Sequence, residues 1–300
     1  MATMRCAGVW IAAFSVVTSA GPIAAQDMPA DYQAVLTTLA RKGDFKDGVL
    51  KVNVPRSDLR VTIAGRPAPT PFGFGGWIAL TKGEGGQDVL MGDLVLTEDE
   101  VNPVMSALLD HGLEVTALHN HFFWEQPRIF YMHVHGMGGA AELAEHIKPA
   151  LALIDKPADS TGGATSPPAT MNGAGLSSII GHPGEQSGAV YKITIGRSDI
   201  QIREHGAVIN ARMGLNTWAA FAGTDADAMV AGDVAMLDAE VTPVLKALRA
   251  NGIDVVAIHH HMIGTQPNIT FLHYWGKGSA QKLATGVRAA VDQLGKARQR

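Results

Sequence analysis

Four histidines, His119, His121, His133 and His135, fall within ALHNHFFWEQPRIFYMHVHGMG, residues 117–138, with Glu125 between the two pairs. A His-x-His pair on a strand puts both imidazoles on one face, because strand side chains alternate with period two. Pro127 lies midway between His121 and His133, and also midway between His119 and His135. A hairpin folded about it would set 121 opposite 133 and 119 opposite 135, close enough for the rings to share one ion. Imidazole with carboxylate suits zinc first, and Mn, Fe, Cu or Ni as alternatives. Hydrogen bonding among strand histidines is the plainer alternative. Glu125 has the parity of the histidine face but reaches it only if the chain curls at the turn. It is the candidate general base, and Arg128 beside it could hold an anionic substrate.

A second copy follows. VTALHNHFFWEQPRIFYMHVHGMG (115–138) aligns with VVAIHHHMIGTQPNITFLHYWGKG (255–278). At one constant offset His119, His121 and His133 match His259, His261 and His273, and Gln126-Pro127 matches Gln266-Pro267. Gly92-Asp93 matches Gly232-Asp233, and Glu100 matches Glu240. One residue further out of step, Arg56-Ser57-Asp58 matches Arg197-Ser198-Asp199, and Trp77 matches Trp218. Such self-similarity marks a duplication. Copy two has Thr265, Asn268 and Trp275 in place of Glu125, Arg128 and His135, so copy one is expected to carry any chemistry. His260 points to the opposite face and is set aside.

The elements that would position these rings repeat as well. Residues 31–41 read as a helix. Segments 49–54, 59–63, 76–80 and 89–96 read as strands, broken by Gly, Pro and Asp. Thr97 opens a capping box with Glu100, and Val101, Val104, Met105 and Leu108 recur at helical spacing up to Gly112. Leu143, Ile147, Leu151 and Ile154 form a last helical stripe, which Leu283, Val287, Val291 and Leu294 repeat. Pro149 should kink the first of these helices. The fold class is therefore α+β: two homologous domains, each a mainly antiparallel sheet with helices packed on one face and a β-hairpin carrying HxH. The boundaries expected are 1–25 signal peptide, 27–155 first domain, 156–175 linker and 176–297 second domain. Arg-Ser-Asp reads as a surface turn with a local ion pair, Trp77 and Trp218 as core anchors, and Asp93 and Asp233 as turn residues.

At 300 residues, 46% apolar and 17% charged, the chain is globular in composition. Its formal net charge of −4 without basic runs argues against nucleic acid. Arg5 followed by a short apolar run and Ala24-Ala25 resembles a signal peptide cleaved after Ala25, which implies a periplasmic or secreted protein. No later stretch is apolar enough for a membrane helix. The single cysteine, Cys6, lies in the leader, so thiolate and disulfide chemistry are absent from the mature chain. No nucleophile elbow, phosphate loop or dinucleotide fingerprint occupies a usable position.

The blocks HNHFFWEQPRIFYMHVHG and HHHMIGTQPNITFLHYWG, with GDLVLTEDEVNPVMSALLDHGLEV and VPRSDL upstream, resemble the duplicated domain of the LppY/LpqO family of exported bacterial proteins. That resemblance implies a domain of unknown function and supplies no activity. Family lipoproteins carry a lipid-modified cysteine at the cleavage point, where this chain has Gln26. His119-x-His121 with Glu125 also has the spacing of the first cupin metal motif, but the flanking helices do not suit a jelly roll, and convergence of ligand chemistry explains it. Three functions stay open: an exported metal-dependent hydrolase, lyase or isomerase; a metal-handling protein without turnover; and a cell-envelope interaction module. The partner would be a small molecule or a cell-envelope component.

Overall fold

The computed structural model describes residues 27–154 and 171–296. The leader, 1–25, and most of the expected linker lie outside the described residues. In copy one the order is α1 (Ala30–Leu39), β1 (Gly43–Lys46), β2 (Val49–Pro55), β3 (Val61–Ile63), β4 (Arg66–Ala68), β5 (Gly75–Lys82), β6 (Asp88–Thr97), α2 (Val101–Asp110), β7 (Glu114–His119), β8 (Glu125–Gln126), β9 (Ile129–Gly138) and α3 (Ala140–Ile154). Copy two runs α4 (Gly173–Ile180), β10 (Gly184–Ser187), β11 (Val190–Gly196), β12 (Ile202–Glu204), β13 (Ala207–Ile209), β14 (Asn216–Gly223), β15 (Ala228–Met236), α5 (Asp238–Ala250), β16 (Asp254–His259), β17 (Thr270–Gly278) and α6 (Ala280–Val291). Helix α4 thus starts inside the stretch expected to be linker. Asn172 opens it, its side-chain oxygen accepting from the Gly175 N–H.

Each copy forms a six-stranded antiparallel sheet, β1-β2-β5-β6-β9-β7 in the first and β10-β11-β14-β15-β17-β16 in the second. Alternation decides what each face meets. Leu50, Val52, Ile78, Leu80, Leu90, Leu94, Met132 and Val134 pack under α1, α2 and α3. An equivalent cluster lies under the helices of copy two. Helix α3 runs continuously through Pro149.

The opposite sheet faces pack against each other. Val61, Ile63, Phe72, Phe122 and Tyr131 of copy one share a cluster with Ala220, Ala222, Met229 and Trp275 of copy two. Val49, Ala79, Val89 and Met91 share another with Ile200, Ile202, Ile209 and Phe271. The β3–β4 and β12–β13 ribbons are reciprocal arms, each laid on the other copy's sheet. The layers run helices, sheet, sheet, helices, and the strand faces bearing the histidines look inward.

Candidate functional site at the junction of the repeats

The hairpin register differs from a fold centred on Pro127. Strand β7 pairs with β9 so that Ala117 faces His133 and His119 faces Tyr131, with a register shift between Val115 and Ala117. In copy two Ala257 faces His273 and His259 faces Phe271. His121 and His261 therefore sit in the loops past the strand ends. The residue between each His-x-His pair fixes that loop: the Asn120 amide donates to the Ile129 carbonyl at 2.7 Å, and the His260 ring lies 2.9 Å from the Ile269 carbonyl. Thr116 donates across the junction to the His261 carbonyl at 2.6 Å.

Six rings converge from both copies. His119 stacks on His259 with centroids 3.7 Å apart, across the pseudo-twofold relation that exchanges them. His121 stacks on His273 at 3.6 Å, and its mirror pair, His261 on His133, at 3.8 Å. The Nε2 atoms of His119 and His273 are 3.0 Å apart. Around a tetrahedral ion with bonds near 2.0–2.1 Å, neighbouring nitrogens stand about 3.3 Å apart, so this spacing suits shared ligation.

Three sets of ring nitrogens lie within 4.8 Å of one another: His119, His133 and His259; His119, His121 and His273; and His259, His261 and His273. Two of the three mix the repeats. None is the copy-one set His119, His121 and His133 alone. The third set, His259, His261 and His273, is the copy-two hairpin triad by itself, and the other two sets join it to the copy-one rings in a shared cluster.

Burial sets the electrostatics. Desolvation, reinforced by neighbouring rings, pushes the His121 and His261 imidazoles well below their ordinary range and lowers His119 and His259. It brings His133 and His273 to about 3. At neutral pH all six rings are uncharged, with lone pairs available to a cation. Both nitrogens of His121 and of His259, and the Nε2 atoms of His133 and His261, have no protein hydrogen-bond partner. Buried polar atoms are seldom left so. Metal-stripped protein should weaken as pH falls from about 6.5 toward 3, because the unfolded chain takes up protons that the six folded rings refuse, which outweighs the opposite effect of the two raised carboxyls, Asp93 and Asp233. Denaturant midpoints at pH 8, 6 and 5 check this. A flat profile would contradict the neutral buried cluster.

Asp93 and Asp233 are the functional candidates that sequence reasoning placed in turns. They lie instead within β6 and β15, with Asp93 opposite His133 and Asp233 opposite His273. Asp233 is buried, and its Oδ2 stands 3.8 Å from His261 Nε2. Each aspartate keeps an Oδ1 without a partner. Burial pushes the Asp93 carboxyl up to about 7 and Asp233 well up, the Asp93 charge adding to the rise of Asp233. The preceding glycine explains the Gly-Asp pair. A Cβ on Gly232 would sit 2.2 Å from the Trp218 carbonyl oxygen, so only glycine lets β14 approach there.

The remaining candidates stand apart from the ring cluster. His135 lies further along β9, where its Nε2 is 3.1 Å from Glu204 Oε1 and its Nδ1 is 3.8 Å from Glu114 Oε2. Glu125 is buried in β8 opposite Ile63. Arg128 Nε lies 3.7 Å from its Oε1, and burial raises the Glu125 carboxyl. Neither His135 nor Glu125 joins the three sets. Copy two has no carboxylate at the Glu125 position, where Thr265 stands buried. A cavity of about 630 Å³ between the copies is lined by His121, His261 and His273, together with both aspartates.

Known proteins place the chain only coarsely. The profile of a family described as Domain of Unknown Function (DUF1259) matches residues 33–153 and again 174–293. The chain belongs to that family. The duplicated DUF1259 unit is the fold repeat described above, and its description assigns no activity. No curated protein matches. Among solved structures the chain is similar to the trimeric bacterial microcompartment shell protein PduB, at 13% identity over 83% of this chain and 89% of that one, with a TM-score of 0.20. It is also similar to EtuB from Clostridium kluyveri, at 9% identity over 85% and 91%, with a TM-score of 0.21. No described helix is long and apolar enough to cross a membrane.

Proposed function

We propose that this DUF1259 protein holds one divalent transition metal, zinc before the other first-row ions, in the histidine cluster between its repeats. The observation that carries the reading is the set of buried, neutral imidazoles that converge from both repeats, most with at least one ring nitrogen lacking a protein partner. An all-imidazole set without thiolate suits Zn, Cu, Ni or Fe. The adjacent Asp233 fits the role of a carboxylate that orients a ligating histidine.

The cavity reaching His121, His261 and His273 favours an enzyme over closed storage, since catalytic centres keep a coordination position open to substrate. A metal there would polarise a carbonyl or activate water. Asp93 and Asp233 face that volume and are better placed to move a proton than Glu125 with Arg128. The histidine blocks and leader-like 1–25 stretch support the LppY/LpqO likeness and an exported location. Elemental analysis of untagged protein tests the metal. The expected result is about one metal ion per chain, with the melting temperature of chelator-stripped protein rising by roughly 5–10 °C when zinc is restored in excess. Near-zero metal and an unmoved melting temperature would overturn the proposal.

A further inference from the structure

One part of the cavity lining is built as a matched pair. Lys51 holds its ammonium 4.4 Å over the Trp77 ring, and Lys192 holds its own 4.4 Å over Trp218. The first tryptophan and lysine come from copy one and the second from copy two, and all four line the cavity. Burial lowers both ammonium groups, Lys51 to about 8, and the Lys192 charge adds to the lowering of Lys51. Among the described residues neither has a carboxylate within ion-pairing distance. The indole faces supply part of the countercharge, and Asp93 acts at longer range on both ammonium groups, with Asp233 acting on Lys192. Arg212, the other cation at the rim, is already paired with Asp44.

Beside the two tryptophans, paired with them across the sheet, stand Asp93 and Asp233, each with one oxygen unpartnered. A hydroxyl suits them in either protonation state, because it donates to a carboxylate and accepts from a carboxyl. The volume is that of a small-molecule site.

We infer that this cavity takes a small hydroxylated carboxylate, its carboxylate group between Lys51 and Lys192 and its hydroxyls toward Asp93, Asp233 and the metal. This deepens the metal reading and rests on it for the inner wall. The two lysines would be binding residues, and the tryptophans beneath them would position them. A site built for both groups should reject ligands that lack either one, since its buried polar atoms are then left unpaired.

The test is calorimetry on the full, metal-loaded, untagged chain at pH 7, with D-gluconate as probe. Succinate, which lacks hydroxyls, and D-glucitol, which lacks charge, are the comparators. The expected result is one gluconate per chain, with both comparators at least roughly tenfold weaker. Lys51→Met with Lys192→Met should weaken gluconate at least about tenfold while metal content and the far-ultraviolet spectrum stay unchanged. Lys192→Gln alone, a milder change, should give a partial loss. Saturable binding that survives the double replacement would overturn the inference, as would equal binding of glucitol or no saturable heat with gluconate. Metal content measured on the same samples separates the two readings: a metal-replete chain that ignores gluconate sinks only the ligand class, whereas a metal-free chain sinks the centre itself.

Discussion

Replacing His259 or His273, both in the second repeat, should weaken metal binding as much as replacing His119 in the first. Each of these three rings belongs to two of the three convergent sets, so each replacement breaks two sets and leaves one, and no set is drawn from the first repeat alone. Losing a ligand from an all-imidazole centre should cost at least about 100-fold in affinity, since even residues that only orient ligands cost roughly 10–100-fold. Two independent hairpin sites would behave differently: His259→Ala would then remove the second ion and leave the first. His135→Ala is the internal control. Its ring is engaged with Glu204 and Glu114, so metal content should not change. Metal-to-protein ratios after dialysis against a weak chelator decide the matter. A chain that retains half its metal in His259→Ala would restore the two-site arrangement.

Why was this centre only half legible in the sequence? The alternation of His119 with His121, and of His259 with His261, fixes which face the rings share. The repeat makes it plain that both copies fold alike. Nothing local says that the two histidine faces look at each other. That follows from sheet-on-sheet packing between copies, visible only in mixed clusters such as Phe122 with Ala220 and Trp275. Pairing about Pro127 failed for a related reason. Residues 120–124 leave the ladder, and Glu125-Gln126 instead pairs with β3, Ile63 facing Glu125 and Thr62 facing Gln126. The aspartates were missed because Gly-Asp is a turn signature when read alone. The usable signal was their recurrence inside long apolar runs, VLMGDLVL and MVAGDVAM, where a turn has no reason to sit. Trp77 and Trp218 likewise read as core, yet their ring faces carry Lys51 and Lys192.

Arg56→Met should destabilise the protein by about 3–5 kcal/mol, and Arg197→Met by a similar amount. The sequence suggested a surface turn at Arg-Ser-Asp, but Arg56 is 2% exposed. Its guanidinium meets Asp58 through Nε at 2.9 Å and Nη2 at 2.8 Å, Glu100 through Nη1 at 2.6 Å, and the Val95 carbonyl at 2.7 Å. Glu100 also accepts from the Thr97 N–H at 2.9 Å, which starts α2. Arg197 repeats the arrangement with Asp199, Glu240 and the Ala235 carbonyl, and Glu240 accepts from the Leu237 N–H at 2.8 Å. Each clamp joins the end of one strand to the strand bearing the aspartate, two residues past Asp93 or Asp233, and to the helix that follows. Removing the arginine leaves a buried glutamate without its partner, and that desolvated charge dominates the loss. The companion change separates this cause from lost packing. Arg56→Met combined with Glu100→Leu removes both charges and should recover much of the stability, whereas a simple packing defect would deepen with the second replacement. Denaturant unfolding of the single and double variants measures the difference, and metal content of the double variant reads whether β6 still holds Asp93 against the histidine cluster.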